Sequence, residues 1–286
     1  MISNAVVWRG FAAAVAANVG INAVGYAYSA YHKTEKFYDL CGSGAFLGSL
    51  TAAVVATKFH RGVFIGLHPR QLIIGGTLAV WSFRLASFLA ARVHRYGDKR
   101  FDAIKGHPLK FAVYWAIQII WVGVVGAPTI ATVSADPTSQ QPLNLLDFSG
   151  LALWVAGFAF EAIADKQKRE WQDKQGEDRR KKFIDTGLWA WCRYPNYLGE
   201  MTLWVGSYLV STRAFPASPV AKYAFSASPL FISYLLTRLS GIPIQERQAK
   251  VRFAGSAEYA DYVAKTNPLL PWPPSRKSFA EKEKKD

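Results

Sequence analysis

The side chains best suited to chemistry gather in one short run, Thr186 to Glu200, reading TGLWAWCRYPNYLGE. A guanidinium (Arg193), a carboxamide (Asn196), a phenol (Tyr197) and a carboxylate (Glu200) stand there together, between a Gly and a Pro that break the chain and an apolar stretch that follows. Such a set can bind phosphate and hydrogen-bond a polar ligand. Arginines also recur in RLASFLAARVHRYGDKRF, where Arg84, Arg92, Arg95 and Arg100 flank Asp98. Arg84 and Arg92 differ by eight positions and share a helix face, and guanidinium forks suit phosphate. In GFAFEAIADKQK, Glu161, Asp165 and Lys168 recur at spacings of four and three, so they line one face of a helix. These carboxylates either order arginines or accept ribose hydroxyls; a solvated ion pair is the plainer alternative. Downstream, RLSGIPIQERQAKVRFAGSAEYADYVAKTNPLLPWPP places Arg238, Glu246, Arg247, Tyr259 and Tyr262 on an amphipathic helix that ends at a Pro-rich stop.

Several chemistries are excluded by spacing. Cys41 and Cys192 form no CxxC pair, and the five histidines (His32, His60, His68, His94, His107) are scattered singly, so no metal site is expected. No GxGxxG after a strand, no Walker loop and no GxSxG elbow occurs, so any nucleotide is held by neither a Rossmann nor a P-loop domain.

The elements that must position these groups are membrane helices. The chain has 286 residues, a formal charge of +14, 51% hydrophobic residues and 14% aromatics. Long apolar blocks alternate with basic ones, unlike a soluble nucleic-acid binder, and no nucleic-acid partner is expected. A bilayer core of ~30 Å needs roughly 20 apolar residues per helix. Seven stretches qualify: Val6 to Tyr28, Phe37 to Thr57, Gln71 to Ala91, Phe111 to Val133, Leu145 to Ala164, Tyr197 to Thr212 and Val220 to Leu239. The expected fold is an all-α polytopic bundle of about seven spans. Arg92 to Lys110, Asp165 to Arg193 and the tail after Gly241 are basic, whereas Ser134 to Asn144 has no Lys or Arg. The positive-inside rule then puts the N-terminus outside and the C-terminus in the cytoplasm. Arg84, Glu161, Glu200 and Arg238 fall inside spans, where a charge usually faces a cavity or a partner. Gly44 and Gly48 have the small-xxx-small spacing of close helix packing. Lys282 and Lys284 have the spacing of a dilysine retrieval signal, which directs a protein to the endoplasmic reticulum; in a bacterium the inner membrane takes its place.

The order RLxxxLxxR, GDKRF, FExxADxQK, GLWxxxRxPNYLGE, SGIPxxERQAK and YxxYxxxTxxLLP, from about Trp81 to Pro271, resembles membrane reductases with a steroid 5α-reductase-like C-terminal domain, relatives of sterol and enoyl-CoA reductases. The resemblance implies residues 1–70 as N-terminal membrane helices, 71–271 as the reductase-like domain with a cytosol-facing cofactor cavity, and 272–286 as a charged tail. It also implies bound NADPH, with Asn196, Tyr197 and Glu200 on the nicotinamide or ribose side, Arg84, Arg95, Arg193 and Arg238 on the phosphates, and Glu161 and Asp165 lining the cavity. Two positions depart from the pattern. Tyr194 replaces the His of RHPNY, and Trp81 stands where steroid 5α-reductases carry a tyrosine three residues before the arginine corresponding to Arg84. An indole cannot deliver a proton, which counts against a steroid enone as substrate.

The implied reaction is hydride addition to an activated carbon–carbon double bond of a lipid-like substrate (sterol, fatty enoyl or isoprenoid), with Tyr197 or Tyr194 as the polarising group. Two rival readings stand beside it. RFAGSAEYADY is similar to a stretch of S-adenosylmethionine-dependent membrane methyltransferases, and Trp81 fits a non-catalytic subunit of a membrane complex that kept the fold. Expected partners are membrane lipid, the lipid-like substrate and, on the last reading, a membrane complex.

Overall fold

Apolar runs free of breakers fold as helices, because inside a bilayer only a helix satisfies its own backbone groups. The computed structural model describes residues 4–60, 63–64, 66–96, 101–102, 104–215 and 219–271. Its helices are α1 (Asn4–Tyr31), α2 (Tyr38–Lys58), α3 (Pro69–Tyr96), α4 (Pro108–Ser134), α5 (Leu145–Gln175), α6 (Pro195–Thr212), α7 (Pro219–Tyr234), α8 (Ile242–Arg252) and α9 (Ala257–Lys265). Four of them open on a proline, whose missing N–H is one a first turn leaves unpaired anyway. A two-residue-a-side antiparallel ladder, Phe59–His60 with Val63–Phe64, joins α2 to α3.

Among the described residues, five helices are long and apolar enough to cross a membrane: Ala5–Tyr31, Tyr38–Lys58, Pro69–Ala91, Pro108–Ser134 and Leu145–Arg179. The sixth and seventh expected stretches are helical, as α6 and α7, but are not in that set. The 16 residues of α7 reach only ~24 Å before a π turn, Leu235–Leu239, takes over. Conversely, α3 runs past the expected Ala91 to Tyr96, so Arg92 and Arg95 belong to the helix rather than to a loop. The expected single amphipathic helix near the C-terminus is two, α8 and α9. Gly255 at φ +80° breaks it, and the Ser256 hydroxyl accepts from the Tyr259 N–H to cap the second.

The chain divides into two compact units. The first comprises the chain up to Ala152 with Val205–Phe231; the second comprises Leu153–Trp204 and the described residues from Ile232 onward. Within the first, α1 to α4 run alternately up and down. At one end Lys105 Nζ meets Glu35 at 3.0 Å, and Tyr26 donates to the Pro108 carbonyl. At the other, Lys58 Nζ donates to the Ala135 carbonyl and Gln71 Nε2 to those of Thr132 and Ala135, satisfying the carbonyls that end α4.

Trp81 lies in this unit's core, 1% exposed, edge-on to Phe46 at 5.2 Å. Its role there is packing. Gly48 sits directly under Ile21 of α1, whereas Gly44 faces open space, so only one of the two small residues makes the expected close contact. Buried amides cross-link α1 and α4: Gln118 donates to Asn22 at 2.7 Å, and Asn18 donates to the Ile119 carbonyl at 2.9 Å. With no water to compete, such bonds hold helices together where burial in lipid gives no driving force.

Arg70 and Asp147 form a bidentate pair at 2.6 and 2.8 Å with both side chains 0% exposed, and Arg70 also donates to Gln140 and to the carbonyls of Gln141 and Pro142. Removing one partner strands a buried charge. Asp147→Ala is expected to lower stability by ~3–5 kcal/mol, read as thermal unfolding in detergent, and Arg70→Met/Asp147→Leu to recover much of the loss.

Candidate functional site

Two glycines decide where the functional groups of the second unit stand. A Cβ on Gly157 of α5 would lie 2.7 Å from the Gly199 carbonyl, and one on Gly199 of α6 would lie 2.5 Å from the Glu161 nitrogen. The two helices therefore touch backbone to backbone. Real Cβ atoms do not approach so closely, so only glycine permits the crossing. Glu161 is drawn beside the turn of α6 that carries Asn196 to Glu200. Glu161 and Asp165 are 4% and 5% exposed. Both sit well inside α5, which continues to Gln175, rather than at its end as the apolar pattern suggests.

The segment before α6 is pinned to α5. Gly187 has φ +62° and lies against the Gln167 amide, with no room for a side chain. The Leu188 N–H donates to Gln167 Oε1 at 2.9 Å, and the Trp189 indole donates to the Ala164 carbonyl at 3.0 Å. From this turn the chain pairs with the segment after α9. Cys192 bridges to Asn267 in parallel, and the Arg193 and Tyr194 N–H groups donate to the Asn267 and Pro268 carbonyls. Pro195 then opens α6. Burial raises the Cys192 thiol to about 11, so it is no nucleophile near neutral pH.

Glu246 of α8 fastens this arrangement. Its Oε1 accepts from Arg193 Nε and from the Tyr194 hydroxyl, both at 3.0 Å, while Arg193 Nη1 donates to the Val263 and Thr266 carbonyls that end α9. Tyr194 stacks on Tyr197 with ring centroids 5.7 Å apart and planes 11° apart. Burial first, and then the Glu246 charge, push the Tyr194 phenol far above its ordinary value and keep it neutral. Its proton is committed to Glu246.

The second unit thus brings together Glu161, Asp165, Asn196, Tyr197 and Glu200 around the helix crossing, with Arg193 and Tyr194 tied to Glu246. Arg238 lies exposed in the π turn. Arg84, whose guanidinium sits 5.9 Å from the Phe88 ring, belongs to α3 in the first unit. The side chains of Arg92 and Arg95, together with Asp98, Arg100, Lys282 and Lys284, lie outside the described residues. Among the described residues no three His, Cys, Asp or Glu side chains are grouped to hold a metal ion. Asn196 Oδ1 is buried and receives no hydrogen bond from a described residue. The cluster is therefore rich in acceptors and suits a ligand that brings N–H and O–H donors. The parts not anticipated are the Gly157–Gly199 contact and the acceptor role of Glu246; their only sequence signals are glycines inside helical runs and one acid in SGIPIQERQAK.

Gly199→Ala is expected to cost ~1–3 kcal/mol by forcing the two backbones apart. Gly20→Ala in α1, where a Cβ meets nothing within 4 Å, is the control and leaves the thermal midpoint unchanged or higher.

Comparison with known proteins adds a family but no activity. A stretch of 108 residues, 32% of this chain, is 24% identical to Uncharacterized protein C594.04c of Schizosaccharomyces pombe (strain 972 / ATCC 24843) and covers 31% of that protein's length. No solved structure matches the chain. The family model described as Protein of unknown function (DUF1295) matches residues 25–266, a range that includes both glycines of the crossing, the Gly187 turn, Glu246 and α9. The chain belongs to the DUF1295 family.

Proposed function

We propose that this protein is an NADPH-dependent membrane reductase acting on a carbon–carbon double bond of a lipid-like substrate, a sterol, fatty enoyl or isoprenoid compound. One observation carries the reading: the α5–α6 crossing sets the buried Glu161 and Asp165 of α5 beside the turn of α6 that carries Asn196 and Glu200, with Asn196 Oδ1 open. Ribose hydroxyls and a nicotinamide carboxamide are donors that such a set takes. The buried carboxylates accept the hydroxyls, and Asn196 accepts the carboxamide N–H. Bound there, NADPH supplies the hydride that the reduction consumes. Tyr197, its ring held flat against Tyr194, donates a hydrogen bond to the group conjugated with the double bond. Arg193, held by Glu246 and by the carbonyls that end α9, enters as a phosphate ligand on the resemblance alone. Arg238, Arg84 and Arg95 enter as phosphate ligands on the resemblance alone.

The chain is further read as an integral membrane protein of lipid metabolism, with residues 71–271 as the reductase domain and membrane lipid and the substrate as its partners. Seven spans, with the N-terminus outside and the C-terminus cytoplasmic, agree with the alternation of α1 to α4, whose connections meet at opposite ends. On the spacing of its last lysines, the membrane is that of the endoplasmic reticulum, or the inner membrane in a bacterium.

The test is a titration of the detergent-purified protein with NADPH, followed by nucleotide fluorescence. Saturable binding is expected, weakened about tenfold or more in Asn196→Ala, where a buried hydrogen bond is lost. Absence of binding by folded protein up to about 1 mM cofactor, the top of the ordinary KM range, contradicts the reading. A thermal shift with S-adenosylmethionine and none with NADPH would instead favour methyl transfer.

A further inference from the structure

The first unit carries a feature that the packing of its four helices does not use. An open-sided apolar groove runs along α1 and α2, lined by Gly20, Val24, Gly25 and Tyr28 on one side and by Phe37 and Cys41 on the other. Two glycines shape it. A Cβ on Gly25 would lie 2.5 Å from Cys41 Sγ and 2.7 Å from the Trp115 ring, so the two helices close tightly there. A Cβ on Gly20 meets nothing within 4 Å, so this glycine leaves open a floor that any side chain would cover. From Gly20 to Tyr28 the groove is ~12 Å long, a little less than the ~15 Å of hydrocarbon in one leaflet.

One end of the groove is basic. Tyr28 meets Phe37 edge-on at 5.3 Å and packs on the His32 ring at 4.3 Å, which sets the turn joining α1 to α2 directly at the groove's mouth. Lys33 and Lys36 stand exposed in that turn. Glu35, the acid between them, is bound by Lys105 at 3.0 Å, and Asp39 follows in the first turn of α2. Among the described residues no carboxylate pairs with Lys33 or Lys36. Lys33 also has φ +48°, in the left-handed region that glycine adopts more cheaply, so its charge stands at this place against a backbone cost.

The geometry points to a site for one anionic phospholipid, with its phosphate on Lys33 and Lys36 and an acyl chain lying in the groove as far as Gly20. Length and charge select a lipid over a second copy of the chain. A crossing helix would need a contact along the whole ~30 Å of the bilayer core, whereas this groove stays within one leaflet. It also ends in the cations that attract an anionic headgroup. The site rests on α1 and α2 spanning a bilayer, which both are long and apolar enough to do, and not on the reductase reading. No residue of the acceptor cluster lines it.

Titration of the full-length protein in a neutral detergent with phosphatidylglycerol, phosphatidylcholine and inorganic phosphate tests it, read by native mass spectrometry and by the thermal midpoint. One phosphatidylglycerol per chain is expected to stay bound and to raise the midpoint. Phosphatidylcholine is expected to bind about fivefold or more weakly, and phosphate alone to leave the midpoint unchanged. Lys33→Gly relieves the left-handed backbone, so the midpoint without lipid is unchanged or higher while phosphatidylglycerol affinity falls about fivefold. Lys36→Gln lowers the affinity about as much, and Lys250→Gln, exposed in α8 of the other unit, leaves it unchanged. Gly20→Leu fills the groove and weakens the lipid about tenfold or more; if that variant does not fold, the two lysine variants decide the matter. Equal binding of the two lipids, indifference to Lys33→Gly and Lys36→Gln, or an equal response to phosphate alone overturns the proposal. So does a two-chain species that Gly20→Leu dissociates, which makes a second copy the occupant. If NADPH fails to bind while the lipid binds and responds to the lysine variants, the reductase reading fails and this site stands.

Discussion

The second unit depends on one contact, the meeting of α5 and α6 at Gly157 and Gly199. A helix pair normally keeps its backbones apart by the width of two side chains; here that distance collapses because neither residue has one. The consequence is chemical as well as geometric. Glu161 comes to lie against the first turns of α6, next to the residues that an exposed carboxylate on an ordinary helix could not reach. Glu161, 4% exposed, lies at this approach.

What the crossing assembles, the Arg193–Glu246 pair holds. A single carboxylate oxygen accepts from a guanidinium and a phenol, and the same guanidinium caps the end of α9. Two segments distant in sequence, α8 and the end of α9, are thereby tied to the turn that opens α6. The arrangement explains why the RYPNY run is so polar for a helix start. Part of it, Arg193 and Tyr194, is committed to protein contacts, and Asn196 keeps a buried carbonyl oxygen that receives no hydrogen bond from a described residue. Composition alone cannot divide the run in this way.

The helices were legible because hydropathy and backbone satisfaction inside lipid leave no other solution. Prolines at the first turn and glycines at positive φ mark many of their boundaries. Where the boundaries differ, the cause is local: no breaker follows Ala91 until Gly97 or Ala164 until Gly176, so α3 and α5 run on through polar sequence that hydropathy assigns to loops. Gly255 with Ser256 does the reverse and splits a helix that periodicity alone would continue. The candidate residues of the second unit were readable as residue types, and the buried state of Glu161 and Asp165 was not. Burial there follows from a partner helix about forty positions away along the chain, and Glu246 reaches Arg193 across 53 positions. Trp81 was conspicuous in sequence as a departure from a pattern; its actual surroundings, Phe46 and the first unit's core, explain it as a packing residue.

The most direct test of the central claim is an experimentally determined structure of the detergent-solubilised protein with NADPH. The account requires the nicotinamide carboxamide within hydrogen-bond distance of Asn196 Oδ1, and the ribose hydroxyls facing Glu161, Asp165 or Glu200, beside an intact Gly157–Gly199 contact. Cofactor density elsewhere in the chain, with Asn196 Oδ1 turned to a protein donor, would contradict it.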